Sequence, residues 1–172
     1  MSFESRRLAL IGTGLINGSL ALALKRAGAV AHVVGCARHD ATLERARARG
    51  LCDSTTTDVE AAVAGADMVV LGTPPGVIGE VAARLAPGLD DSAVVTDVGS
   101  VKQVVVEAVG AALTRPARFV GGHPVAGTEH SGPDAAFASL FEQRRCILTP
   151  VAGTDPAAVA RVRAMWELVG AT

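Results

Sequence analysis

No tyrosine occurs among the 172 residues, and Phe and Trp bring the aromatic share to only 3%. Chemistry that depends on a phenolic acid–base is therefore closed to this chain. Trp166 and the four Phe are too sparse for a base-stacking surface, so core packing is their expected role. Cysteine is scarce too: Cys36, Cys52 and Cys146 are odd in number, far apart and without metal-ligand spacing. They are expected as free thiols, with no disulfide and no zinc. Charge of one sign is also lacking. The formal net charge is −1, and basic residues form no run beyond the scattered Arg of 38–49, which leaves no electrostatic footprint for nucleic acid or an anionic membrane. No apolar run reaches the length of a membrane span. The start, Met1-Ser2-Phe3-Glu4-Ser5-Arg6-Arg7, leads almost directly into a strand pattern with no visible signal peptide, and a cytoplasmic location is expected.

Hydrophobic residues are plentiful, at 49%, and the mean hydropathy is slightly positive, enough to bury the core of one domain over residues 1–172. Short β-branched runs at 8–11, 31–35, 68–72, 93–97, 118–121 and 146–149 alternate with alanine-rich stretches of helical periodicity at 15–27, 41–49, 59–64, 77–85, 101–113 and 156–169. Gly28, Gly50 and Pro87-Gly88 stand where the first, second and fourth of these helices should stop. Such alternation predicts an α/β fold, a doubly wound and mostly parallel sheet of the Rossmann type that binds dinucleotides.

The first strand runs into Gly12-Thr13-Gly14-Leu15-Ile16-Asn17-Gly18-Ser19 and then a helix. In a dinucleotide fingerprint the first glycine permits the turn, the second lets backbone N–H groups approach a pyrophosphate, and the third allows close helix packing. Asn17 holds the third position, with Gly18 beside it to relieve the crowding. Gly12, Thr13, Gly14, Leu15 and Ile16 are the candidate phosphate-binding residues. The second strand should then present an acidic residue to the adenosine ribose of NAD, but it ends in Gly35-Cys36-Ala37-Arg38-His39, with no carboxylate before Asp40. Arg38, with His39 beside it, suits a 2′-phosphate, which favours NADP and leaves NAD open.

Two further strand ends, Gly72-Thr73-Pro74-Pro75 and Thr96-Asp97-Val98-Gly99-Ser100-Val101-Lys102, belong on the same sheet edge. Thr73, Pro74 and Ser100 are candidates to line the nicotinamide. Helix capping is the competing role for Asp97 and Ser100, and an exposed first-turn position that for Lys102. The third such place is the loop Gly121-Gly122-His123-Pro124-Val125-Ala126-Gly127-Thr128-Glu129-His130-Ser131-Gly132, expected just after a strand, which sets histidine, hydroxyls and a carboxylate between glycines. His32, His39 and His130 are expected to be solvent-exposed and without a catalytic role.

In their order and spacing, Gly12-Thr13-Gly14-Leu15-Ile16, the Thr96–Lys102 motif and the Gly122–Gly132 motif resemble the prephenate/arogenate dehydrogenase family of tyrosine biosynthesis, across essentially the whole chain. The resemblance implies the cofactor domain of an enzyme that oxidatively decarboxylates a cyclohexadienol with a nicotinamide acceptor. It implies that His123 takes the ring-hydroxyl proton as hydride leaves the same carbon, and that Ser100 orients this hydroxyl. Thr128 and Glu129 match positions that border the substrate pocket. Members of the family continue into a helical domain that pairs subunits as a homodimer and supplies cations for the substrate carboxylates. The chain ends at Thr172, before such a domain, so the isolated chain is expected to bind cofactor with little turnover and weak dimerisation.

The chemistry agrees with the residues present. A neutral imidazole is a suitable base near pH 7, and because aromatisation drives carbon dioxide loss no metal is required. The lack of tyrosine excludes a short-chain dehydrogenase. Two alternatives stay open: another hydroxyacid dehydrogenase of this fold using Lys102, and a non-catalytic NADP-binding module.

Overall fold

The computed structural model describes residues 3–172; Met1 and Ser2, included in the expected domain, lie outside the described residues. Seven strands form one sheet: β1 (Leu8–Ile11), β2 (Val33–Cys36), β3 (Ser54–Thr56), β4 (Met68–Leu71), β5 (Val94–Asp97), β6 (Phe119–Pro124) and β7 (Cys146–Thr149). Among the described residues six α-helices accompany them: α1 (Leu15–Arg26), α2 (Asp40–Ala48), α3 (Val59–Val63), α4 (Ile78–Leu85), α5 (Lys102–Ala112) and α6 (Pro156–Leu168). The strand order is β3-β2-β1-β4-β5-β6-β7, parallel from β3 to β6, with β7 antiparallel to β6. The doubly wound, mostly parallel sheet is the architecture that the alternating pattern requires.

The pattern works because the central strands are apolar on both faces, as parallel strands under helices must be. Leu8 and Leu10 of β1 join one buried cluster with Leu20 and Leu24 of α1 and Val162, Met165 and Trp166 of α6. Ala9 and Ile11 join the opposite cluster with Val63 of α3, Ala82 and Leu85 of α4, and Val105 and Val109 of α5. Each layer of helices thus meets alternate residues of the same strands. Phe141 packs edge-on against Trp166, with ring centroids 5.1 Å apart, so the tryptophan is a core residue.

Two elements depart from expectation. β3 is made of Ser54, Thr55 and Thr56, a short, half-buried edge strand with no apolar run to announce it. β6 does not stop at Gly121 but continues through His123 and Pro124, because Gly121, Gly122, His123 and Pro124 pair with Thr149, Leu148, Ile147 and Cys146 of β7. Glycine and proline form strands poorly by local preference; here a partner from far along the chain overrides that preference. His123 is consequently a strand residue.

Candidate cofactor crevice and active site

The order of connections reverses between β1 and β4, and a doubly wound sheet binds its ligand outside the carboxyl ends of the strands at that point. A crevice of about 350 Å³ opens there, lined from β1 by Gly12 and Thr13, from beyond β2 by Arg38 and His39, and from beyond β4 by Thr73 and Pro74. Six of the residues expected at a cofactor are thereby brought together. Gly14, Leu15 and Ile16 are not in the lining; Leu15 and Ile16 pack on the core below.

Gly12 makes the turn. Its φ is +92°, and a Cβ there would lie 2.6 Å from the carbonyl oxygen of Gly72, so no other residue fits without displacing β4. Gly14, the residue that leads into α1, has the opposite surroundings: a Cβ on it would meet nothing within 4 Å. No side chain caps the first turn of α1, so its N–H groups remain available to an anion. The hydroxyls of Thr13 and Thr73 are buried without a hydrogen-bond partner among the described residues. Buried polar atoms without partners are uncommon, and a pair of them at this crevice fits a polar ligand such as a nicotinamide dinucleotide.

Asn17 is buried, and its amide donates to the carbonyls of Gly12 at 2.8 Å and Val70 at 3.2 Å. Room for it comes from Gly72, where a Cβ would stand 2.5 Å from Asn17 Nδ2. Gly18, the expected source of relief, instead lets α1 approach Leu51 and Ala136, each 2.9 Å from a Cβ placed there.

Thr42, Val77, Glu80, Val81 and Arg84 also line the crevice and were not foreseen. The four- and three-residue spacing of Val77, Val81 and Arg84 is the one sequence signal that they share a helical face. Cys36 lies in the same wall, and burial, then the Asp58 charge, push its thiol up to about 11 against a smaller opposing pull from Arg84. Cys52 is likewise raised to about 11, and the partly buried Cys146 to about 12, chiefly by burial. All three thiols are free.

Ser100 lies just beyond the end of β5 and His123 in the last two residues of the neighbouring parallel strand β6, both on the crevice's side of the sheet but outside its lining. Ser100 is exposed and His123 half-buried. The capping roles do not hold: α5 begins at Lys102 after Val101, with no side-chain cap, and Asp97 is fully buried in an ion pair with Lys102. Lys102 is accordingly 15% exposed, not a solvated first-turn residue, and its ammonium is committed to Asp97 and to the Gly122 carbonyl. Thr128 and Glu129 lie on the exposed loop after β6, where the Thr128 hydroxyl accepts from His130 N at 3.1 Å and Glu129 sits 3.4 Å from the His130 ring. His39 and His130 are exposed as expected. His32 is not: it is half-buried, its Nε2 2.8 Å from Ser54 Oγ. Among the described residues no group of three His, Cys, Asp or Glu is placed to hold a metal ion, and no helix is long and apolar enough to cross a membrane.

Fold and crevice together define a dinucleotide-binding α/β domain. Residues 20–172 match the family described as the nucleotide-binding domain of prephenate dehydrogenase, and the chain belongs to that family. It is 40% identical over 165 residues to the cyclohexadienyl dehydrogenase of Zymomonas mobilis, a match covering 96% of this chain and 56% of that protein. The prephenate dehydrogenase of A. aeolicus, solved with hydroxyphenyl propionate and NAD+, superposes with a TM-score of 0.92 at 34% identity, over 100% of this chain and 60% of that one. Synechocystis arogenate dehydrogenase superposes with a TM-score of 0.88 at 36% identity, over 96% and 58% of the two chains. The chain therefore spans somewhat more than half the length of these relatives.

Proposed function

We propose that this chain is the cofactor half of an NAD(P)-dependent dehydrogenase that oxidatively decarboxylates prephenate or arogenate in tyrosine biosynthesis. The observation that carries the proposal is that His123, at the end of β6, and Ser100, just beyond the adjacent β5, share the sheet edge of a crevice with two unpartnered buried hydroxyls. Membership of the family, and relatives whose names give this activity, support it.

Gly12 and the free first turn of α1 would hold the pyrophosphate, Thr13 and Thr73 would offer their hydroxyls, and Thr73, Pro74 and Ser100 would border the nicotinamide. The bound nicotinamide supplies the hydride acceptor. As hydride leaves the carbinol carbon, His123 accepts the proton of its hydroxyl, which Ser100 orients. The ring carboxylate then leaves as carbon dioxide, its bonding electrons aromatise the ring, and His123 returns the proton to the phenolic oxygen. Protons and charge balance with no metal. Thr128 and Glu129 border the substrate, and a helical domain beyond residue 172 supplies the cations for its carboxylates and the homodimer contact.

For the cofactor we favour NADP. Arg38 and Arg84 both reach the adenosine end of the crevice, and Arg38 makes no ion pair or hydrogen bond among the described residues, leaving its guanidinium for a 2′-phosphate. NAD has an observation of its own, since Glu80 lines the same crevice and its carboxylate suits a ribose diol.

The test is absorbance at 340 nm with prephenate or arogenate and either cofactor, on this chain and on a form extended through the natural downstream sequence. Turnover in the extended form, reduced about 10²-fold or more by His123→Asn with nucleotide affinity retained, supports the proposal. Nucleotide binding without turnover of either substrate rejects it in favour of a binding module.

A further inference from the structure

We infer that Asp97 is the positioning residue of this site: one carboxylate sets the attitude of both Ser100 and His123. The inference rests on the dehydrogenase reading above. Asp97 ends β5 with no solvent exposure. Its Oδ2 accepts from Gly99 N at 2.8 Å and from Lys102 Nζ, which closes the turn that carries Ser100. Its Oδ1 accepts from Gly122 N at 3.1 Å, while Lys102 Nζ donates to Gly122 O at 2.7 Å. The ion pair therefore grips the peptide on each side of Gly122, and the second of these is the peptide that supplies the backbone nitrogen of His123.

The glycines of the two motifs fit the same account. A Cβ on Gly99 would lie 3.1 Å from Asp97 Oδ2, and one on Gly122 would lie 2.8 Å from the Asp97 backbone oxygen. Side chains there would push apart the segments that Asp97 joins. A buried ion pair adds little net stability over well-packed apolar residues, so fixing relative geometry is the role this arrangement serves best. Reaction rates respond steeply to that geometry, because a displacement of about 1 Å costs on the order of 10²-fold.

The test uses the full-length natural protein with both charges removed together, Asp97→Asn with Lys102→Met, so that neither is left buried alone. We expect kcat to fall about 10²-fold with the nucleotide Kd within twofold of wild type, and the titration of the His123 imidazole, followed by NMR, to move. Should the pair fail to fold, Lys102→Arg keeps both charges while shifting the donors, and is expected to lower kcat about tenfold with the same displaced titration. A folded variant with wild-type kcat and an unmoved His123 titration overturns the inference. A loss of kcat matched by equal loss of nucleotide binding, with the titration unmoved, also overturns it, because that is damage to the fold alone. Wild-type protein without turnover would instead reject the dehydrogenase reading, while the NMR titration would still decide whether Asp97 positions His123.

Discussion

The side-chain amide of Asn17 donates to the backbone carbonyl of Gly12 across 2.8 Å, so the residue that breaks the glycine pattern closes the very loop it interrupts. The same amide reaches Val70 O in β4. One side chain thereby joins the glycine-rich loop after β1 to the strand across the switch point.

Restoring the pattern should therefore weaken the protein. Asn17→Gly removes those hydrogen bonds and places glycine within a helix, for an expected loss of about 2 kcal/mol, or roughly 5 °C in Tm. Thermal unfolding of the two proteins decides it; an equal or higher Tm for the glycine variant would mean that the Asn17 bonds add nothing.

Gly12 and Gly14 should separate fold from ligand. Gly12→Ala places a methyl group 2.6 Å from Gly72 O at φ +92°, and a destabilisation of about 2 kcal/mol or more is expected. Gly14→Ala has open space at φ −77°, so its stability should stay within about 0.5 kcal/mol while nucleotide affinity drops about tenfold. Denaturant midpoints and a fluorescence titration with NADPH measure both. Wild-type affinity in the Gly14 variant would remove that residue from the cofactor site.

Arg38→Ala is expected to weaken NADP binding by about 10- to 100-fold, the range of one or two charge-assisted hydrogen bonds, and to leave NAD within about twofold. Titrations with both nucleotides at one fixed ionic strength give the ratio. Equal losses for the two cofactors would take the 2′-phosphate away from Arg38.

Acid should expose a second lock at the opposite end of the sheet. Burial works to raise the Asp67 carboxyl, but hydrogen bonds from Ser5 Oγ and Arg6 N, together with the Arg161 charge, outweigh it and hold the group below its ordinary value. A carboxyl lowered in the folded state stabilises fully above its unfolded value of about 3.9, and that contribution is lost as pH falls through the lower folded value. Urea midpoints should therefore decline below about pH 4, and Asp67→Asn should be less stable at pH 6 with a shallower acid decline. A variant whose midpoints track wild type at every pH would show that the Asp67 contacts are energetically silent.

Legibility of the fold followed the apolar content of each element. β1 and β4 are uninterrupted apolar runs, and their places could be read within a residue or two because burial on both faces leaves little choice of residue type, while in β5 the apolar Val94 and Val95 lead into the buried polar Thr96 and Asp97. The polar β3 exists through its pairing with β2, and the glycine- and proline-bearing end of β6 through its pairing with β7. Neither carries a local signal. The candidate site divides in the same way: Gly12, Thr13, Arg38, Thr73 and Pro74 announce themselves as strand ends, whereas Glu80 and Arg84 reach the crevice only because α4 crosses it.

By itself, the sequence determined the class of fold, the strand ends that carry polar residues and the family, since hydrophobic alternation and short motifs are local properties of a chain. Tertiary structure alone decided that Gly72 rather than Gly18 makes room for Asn17, that Lys102 is bound to Asp97 and Gly122, and that His123 belongs to a strand. Each of these depends on which distant atoms come within contact distance, and that follows from how the whole sheet packs.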